Sequence, residues 1–130
     1  MISIPSSHED LLTRPIIVTL VTVMPDGQPQ ATPIWADLHE GNIRINTVDG
    51  RQKDKNLRER KMATVLVIDP ENDFRWMEVR GKVVWESEGD DREVIEKLSH
   101  DYFGKPYPSH NDSDRRVTFH IAPERVVTSG

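Results

Sequence analysis

The stretch that decides the fold runs from Ile16 to Trp35 and reads IIVTLVTVMPDGQPQATPIW. Its first part, residues 16–23, is β-branched almost throughout, which is typical of a strand. Pro25-Asp26-Gly27 follows, and this combination is typical of a tight turn. Residues 30–38 then return as a second strand. The sequence therefore predicts a β-hairpin near the start of the chain.

Residues 74–85, FRWMEVRGKVVW, alternate between apolar and polar side chains and predict a long strand. Further strands are predicted before and after it. Gly81 interrupts this segment and predicts a bulge or a bend in the strand. Near the end of the chain, Pro123 interrupts another strand, which we therefore expect to be broken. Six strands are therefore predicted. Two belong to the hairpin, and the other four are residues 43–47, 63–68, 74–85 and 116–127.

Three helices are predicted between or before these strands. Ser6 and Ser7 resemble the start of a short helix that ends near Pro15. A second helix is expected over residues 52–61, and a third over 90–103, which places apolar residues on one face. Six antiparallel strands with short flanking helices indicate an α+β fold, and at this length the strands close most easily into a small β-barrel. We expect residues 1–130 to form a single domain.

Composition excludes several classes of protein. The chain has 130 residues, no cysteine and a formal charge of -5. A disulfide framework, a thiolate zinc site and a thiol nucleophile are therefore impossible. The start of the chain resembles no secretion signal, and no apolar run approaches the roughly 18 residues of a membrane span. We expect a cytoplasmic protein that binds neither membranes nor, given its acidity, nucleic acid.

One short segment departs from this acidic average. Residues 51–61 carry six basic and two acidic side chains, a local charge of +4, whereas the rest of the chain carries -9. Arg51, Lys55 and Arg58 share one helical face, and Lys53 lies nearer the helix start. A strand that leads into a helix through Asp49-Gly50, beside basic side chains, is typical of a phosphate site. A solvated helix face decorated with basic residues would show the same pattern, and this alternative stays open.

No motif indicates a catalytic residue or a metal site. The five histidines are scattered, with no pair at helical metal-ligand spacing. The chain has no G-x-S-x-G, G-x-G-x-x-G or P-loop motif, so we name no catalytic residue and no metal ligand. The tryptophans Trp35, Trp76 and Trp85 lie on predicted strands, where they could be core, dimer contacts or a flat wall for a planar ring. Trp76 shares a face with Glu78 and Arg80 and is the least core-like.

The order of four segments resembles the pyridoxamine 5'-phosphate oxidase-like split-barrel flavoproteins. The closest branch resembles the deazaflavin (coenzyme F420)-dependent oxidoreductases, whose short members end in a motif similar to DRRV at 114–117 and PERV at 123–126. The likeness covers nearly the whole chain, and its segments are VTVMPDGQPQATPIW (21–35), IRINT (43–47), RQKDKNLR (51–58) and MEVRGKV (77–83).

This resemblance implies a homodimer of FMN-binding split-barrel type, with cofactors in clefts between the subunits. Arg51 and Lys53 match positions that hold the cofactor phosphate, and Trp76 matches an aromatic position near the cofactor. The oxidase itself has an Arg-Lys pair where this chain has Gln52 and Lys53, which weakens FMN relative to the deazaflavin. The positions that match residues along the ring and ribityl chain are Thr32, Pro33, Ile34, Asn46 and Thr47.

The resemblance thus implies an oxidoreductase that transfers a hydride between F420 and a small organic substrate. Arg80 or Tyr107 could orient or protonate that substrate. An FMN-dependent enzyme of the same fold and a non-catalytic flavin or tetrapyrrole carrier are the alternatives. Nothing in the sequence specifies the substrate.

Overall fold

Seven antiparallel strands form one sheet in the computed structural model, which describes residues 2–108, 110–111 and 113–130. The sheet curls into a split-barrel-like α+β fold, and its strand order is β2-β1-β5-β6-β7-β4-β3. The elements are α1 (Asp10–Thr13), β1 (Val18–Val23), β2 (Pro29–Ile34), β3 (Asp37–His39), β4 (Asn42–Val48), α2 (Gln52–Arg60), β5 (Met62–Ile68), β6 (Trp76–Glu86), α3 (Arg92–Phe103) and β7 (Arg116–Ser129).

The prediction of six strands was wrong, because the segment 30–38 is two strands and not one. β2 ends at Ile34, where it pairs with β1, and β3 starts at Asp37, where it pairs with β4. Between them the Tyr102 hydroxyl accepts a hydrogen bond from the Ala36 amide (3.2 Å) and donates one to the Ile16 carbonyl (2.7 Å). A side chain from α3 therefore satisfies backbone groups that a continuous strand would have paired.

The last strand is continuous, although Pro123 predicted a break. Its register against β6 shifts between Arg80 and Gly81, which pair with Arg125 and Pro123. Glu124 is therefore the extra residue of a bulge. A Cβ on Gly81 would lie 2.4 Å from the Ala122 carbonyl oxygen, so the two backbones approach too closely for a side chain. The irregularity predicted at Gly81 is present, but the extra residue lies in β7, opposite Gly81, and not in β6.

The core fills the inside of the curled sheet and follows the alternation of the strands. Leu11 and Leu12 of α1 pack onto it, and Leu57 of α2 closes another side. Phe119 in β7 is the largest completely buried side chain. Within the described residues no helix is long and apolar enough to cross a bilayer.

A buried ionic cluster attaches α3 to the edge of the sheet. Asp37 on β3 receives two hydrogen bonds from the Arg44 guanidinium on β4, at 2.9 and 2.7 Å. Lys97 on α3 donates to the same carboxylate at 2.8 Å and to Asp101 at 2.6 Å. Because Asp37 is only 5% exposed, its charge depends on these partners. The cluster holds α3 against the strands that carry the candidate site.

Candidate functional site

The start of α2 places two basic side chains beside the barrel wall. Arg51 is the N-cap residue of α2, and Lys53 lies in its first turn. Gly50 allows the chain to enter the helix with a φ of +93°, and its amide donates to the Asp54 carboxylate at 2.8 Å. The first amides of a helix have no acceptor within the helix, so this end of α2 favours an anion.

Lys53 is a basic side chain of α2 that faces the barrel. It is half-buried, and its Nζ lies 3.4 Å from the Thr32 hydroxyl on β2. Burial lowers the pKa of Lys53, and the nearby positive charges of Arg51 and Arg116 lower it further. Among the described residues no carboxylate forms an ion pair with Arg51, Lys53 or Arg116. A desolvated cation without a counter-charge is stabilised by a bound anion.

The rest of the basic segment is largely neutralised by the protein itself. Arg58 donates to the buried Asp54 at 2.6 Å, and Arg60 donates to the Val23 carbonyl at 2.6 Å. Arg58 is therefore paired within the protein, and the formal charge of the segment overstates its free positive charge. The i, i+4 spacing of Asp54 and Arg58 could have shown this.

An apolar cavity of about 290 Å³ lies next to this cationic end, between the barrel wall and α3. Trp35 forms one wall: its ring stacks on Tyr102, with centroids 5.2 Å apart, and meets the edges of Phe103 and Tyr107. Trp35 therefore borders the cavity, and its role as a flat wall for a planar ring stays a prediction. The lining residues are Ile17, Pro33, Ile34, Trp35, Asn46, Ile95, Leu98, Tyr107 and Arg116.

Arg116 is a site residue to which sequence analysis assigned no role. It begins β7 and is 5% exposed, and its Nε donates to the Asn46 amide oxygen at 2.7 Å. Burial lowers the pKa of Arg116; Arg51 adds to this effect, and Tyr107 and Asp114 oppose it. The DRRV motif that supports the family resemblance contains this residue, but only the fold shows that it lines the cavity.

Of the sequence-predicted residues, the fold brings Thr32, Pro33, Ile34 and Asn46 close to Lys53 or into the cavity lining. Arg51 is exposed at the start of α2. Thr47 is buried on the opposite face of β4 from Asn46, and its hydroxyl has no partner among the described residues.

Trp76 lies outside the cavity, in a groove on the outer face of β5, β6 and β7. Ile68 is its register partner. β5 also pairs with β1, and the Thr19–Leu66 pair lies two residues along the chain from both Ile17 and Ile68. Ile17 lines the cavity. Ile17 and Ile68 are 54% and 46% exposed. We call Ile17, Ile68 and Trp76 the apolar strip.

This arrangement can bind a molecule that has an anionic group at one end and a flat apolar body at the other. Arg51, Lys53 and Thr32 suit the anion, and the cavity suits the flat body. The described part of the chain contains no cluster able to hold a metal, and no histidine among the cavity-lining residues. The His110 ring lies outside the lining, 5.0 Å from the Tyr107 ring. Arg80 lies in the groove with Trp76, whereas Tyr107 lines the cavity.

Comparisons with known proteins identify the family of the chain. The profile of the pyridoxamine 5'-phosphate oxidase family matches residues 4–130. A solved F420 reductase is 32% identical, with 95% of this chain and 98% of that chain covered, and has a TM-score of 0.85. No curated protein matches the chain.

Two more distant structures show the fold alone. A conserved hypothetical protein from Mycobacterium tuberculosis is 22% identical, with 99% of this chain and 86% of that chain covered, at a TM-score of 0.71. The heme storage protein HutZ from Vibrio cholerae is 13% identical, with 99% and 96% covered, at a TM-score of 0.70. The chain belongs to the pyridoxamine 5'-phosphate oxidase family, on the branch that includes the F420 reductase.

Proposed function

We propose that the protein is an oxidoreductase that transfers a hydride between the deazaflavin cofactor F420 and a small organic substrate. The observation that carries this proposal is the half-buried Lys53, which has no carboxylate partner among the described residues and lies near one end of an apolar cavity. The likeness to an F420 reductase across 95% of the chain supports it.

The residues present fit such a cofactor. Lys53 and Arg51 would hold its phosphate, and Thr32 and Asn46 would contact the polyol chain that leads to the ring. Pro33 and Ile34 would pack against the ring, with Trp35 as a flat wall. When bound, the cofactor would supply the hydride chemistry, so the protein needs no nucleophile of its own. Its side chains bind and orient, and the apolar lining keeps water away from the reacting atoms.

A second copy of the chain would complete this site. The cavity volume of about 290 Å³ is at the lower end for a small-molecule site and suffices for one ring system. Its rim is apolar and exposed at Ile17 and Phe103, and the apolar strip continues from Ile17 to Trp76. Contiguous exposed apolar surface is typical of an interface. We propose that two copies pack through this strip, so that Trp76 contributes to the cofactor site across the dimer.

Titration of the purified protein with F420 and with FMN, followed by fluorescence, tests the cofactor. We expect micromolar or tighter binding of F420 and weaker binding of FMN. Lys53→Ala should weaken F420 binding by about 10- to 150-fold, because a charge-assisted contact contributes about 1.5–3 kcal/mol. Lys55→Ala is the matched control: it removes the same charge from an exposed position of α2, and we expect less than about a threefold effect.

The same titration separates the alternatives. Tight FMN binding with no F420 binding would make the protein an FMN-dependent oxidoreductase. Binding of a flavin or a tetrapyrrole without any oxidation of the reduced cofactor would indicate a carrier. Failure to bind F420 and FMN would refute the proposed function. Light scattering at several protein concentrations tests the dimer, which Ile68→Glu should dissociate.

A further inference from the structure

Arg116 is a charged side chain that lines the cavity, and among the described residues it forms no ion pair with a carboxylate. Its Nε atom donates to the Asn46 amide oxygen, and a hydrogen-bond contact with the Tyr107 side chain also acts on it. The guanidinium carbon lies 5.4 Å from the centre of the Tyr107 ring. The side chains that contact this guanidinium are therefore neutral.

Asn46 cannot supply the missing negative charge. Its amide nitrogen donates to the Asp91 carbonyl at 3.1 Å and to the Thr118 hydroxyl at 3.0 Å. These two bonds determine which end of the amide faces Arg116, because only the oxygen remains as an acceptor. Arg116 is thus held in place by a neutral partner.

The wider surroundings increase the positive potential at the cavity. The positive charge of Arg51 lowers the pKa of both Arg116 and Lys53, and Arg116 also lowers the pKa of Lys53. The negative charge of Asp114 opposes this effect at Arg116. The Asp114 carboxylate forms no ion pair with Arg116. A buried cation in this position costs free energy unless a negative charge enters the cavity.

We propose that Arg116 makes the cavity favour the reduced, negatively charged form of the cofactor ring over the oxidised form. This inference rests on the proposed function. When bound, a flavin-type ring would carry more negative charge in its reduced form than in its oxidised form. A guanidinium in a low-dielectric cavity stabilises that charge more strongly than a surface cation would. The protein thereby tunes the electronics of the cofactor through one residue.

The test compares the dissociation constants of the oxidised and the anaerobically reduced cofactor, measured with F420 and with FMN. The decisive quantity is the dissociation constant of the reduced cofactor divided by that of the oxidised cofactor. Arg116→Met, which removes the charge, should raise this ratio at least tenfold, which corresponds to a decrease of about 30 mV in the midpoint potential of the bound cofactor. Arg116→Lys, which keeps the charge, should change the ratio less than about threefold.

Asn46→Asp provides a second variant that leaves Arg116 in place, in case Arg116→Met does not fold. A carboxylate next to Nε neutralises the cation, so the ratio should rise as it does in Arg116→Met. An unchanged ratio in either folded variant would overturn the inference, because a structural role weakens both forms equally.

Lys53→Ala separates this inference from the proposed function. It should weaken both redox forms by similar factors and change the ratio less than about threefold, because Lys53 is proposed to contact the phosphate and not the ring. If the wild-type protein binds neither cofactor, both proposals fail. If it binds and Lys53→Ala weakens binding, but Arg116→Met leaves the ratio unchanged, only the role of Arg116 is wrong.

Discussion

Replacing Asp37 by Asn should test how the buried ionic cluster supports the site. The substitution keeps the shape of the side chain and removes its charge. Arg44 is then left with a neutral acceptor in place of a carboxylate that accepts two bonds, at 2.9 and 2.7 Å. Lys97 loses its 2.8 Å contact but keeps Asp101.

The expected loss of stability follows from how deeply each partner is buried. Breaking a fully buried ion pair by removing one charge costs about 3–5 kcal/mol. The side chains of Asp37 and Arg44 are 7% and 17% exposed, so their pair approaches this limit. The Lys97 side chain is 51% exposed, and its contribution is that of a surface pair, at most about 1 kcal/mol. Because Asn still accepts one hydrogen bond, we expect a loss of about 2–4 kcal/mol at pH 7.

The loss should depend on pH in a defined direction. Burial acts to raise the pKa of Asp37, but hydrogen bonds from Arg44 and Lys97 outweigh burial and lower it below its ordinary value. A carboxyl group with a lowered pKa stabilises the fold fully above its unfolded pKa, about 3.9, and loses this effect as the pH falls through the folded pKa. Asn does not titrate. The gap between wild type and variant should therefore be constant above about pH 5 and narrow below about pH 4.

Urea unfolding followed by circular dichroism measures this gap at several pH values. Asp101→Asn is the matched control, because it removes a carboxylate that also binds Lys97 but whose side chain is 40% exposed. That control should lose less than about 1 kcal/mol. A loss below about 1 kcal/mol for Asp37→Asn at pH 7, or a gap that stays constant down to pH 3, would refute the reasoning.

Three further substitutions have expected outcomes in the same unfolding assay. Gly81→Ala should lose about 1–3 kcal/mol, because its Cβ would lie 2.4 Å from the Ala122 carbonyl oxygen; an unchanged midpoint would contradict the close approach. Glu40→Asn should gain about 0.5–1 kcal/mol, because Glu40 has a φ of +51° in a two-residue hairpin where Asn is preferred; a loss would contradict strain at this turn. Tyr102→Phe should lose about 1–2 kcal/mol, because its hydroxyl bonds the Ala36 amide at 3.2 Å; no loss would mean that water replaces it.

The strands that alternate along the sequence were predicted close to their true positions, because local side-chain pattern specifies them. The break after β2 was not predicted, because it depends on Tyr102, which is distant in the sequence. The continuity of β7 was missed for a related reason. Pro123 lies beyond the last residue pair with β4, at Ile121, so its missing amide proton removes no bond to β4.

For the site, the sequence predicted Lys53 by local charge but overestimated how much of that charge is free. Asp54 is buried and binds Arg58, and a count of charges cannot show burial. Arg116 was missed as a lining residue because only the register of β7 against β4 brings it near Asn46. Local chemistry thus predicted one end of the site, and long-range pairing determined the other.

The position of β7 also has a consequence for how the chain folds. It is the last strand in sequence, yet it lies between β6 and β4 and connects two groups of strands, β2-β1-β5-β6 and β4-β3. Until residues 116–129 are synthesised, each group has an open edge able to pair with another nascent chain. Such long-range closure slows folding. A ribosome stalled before Arg116 would therefore hold two partial sheets and no complete barrel, and this interval is where the protein is most exposed to aggregation.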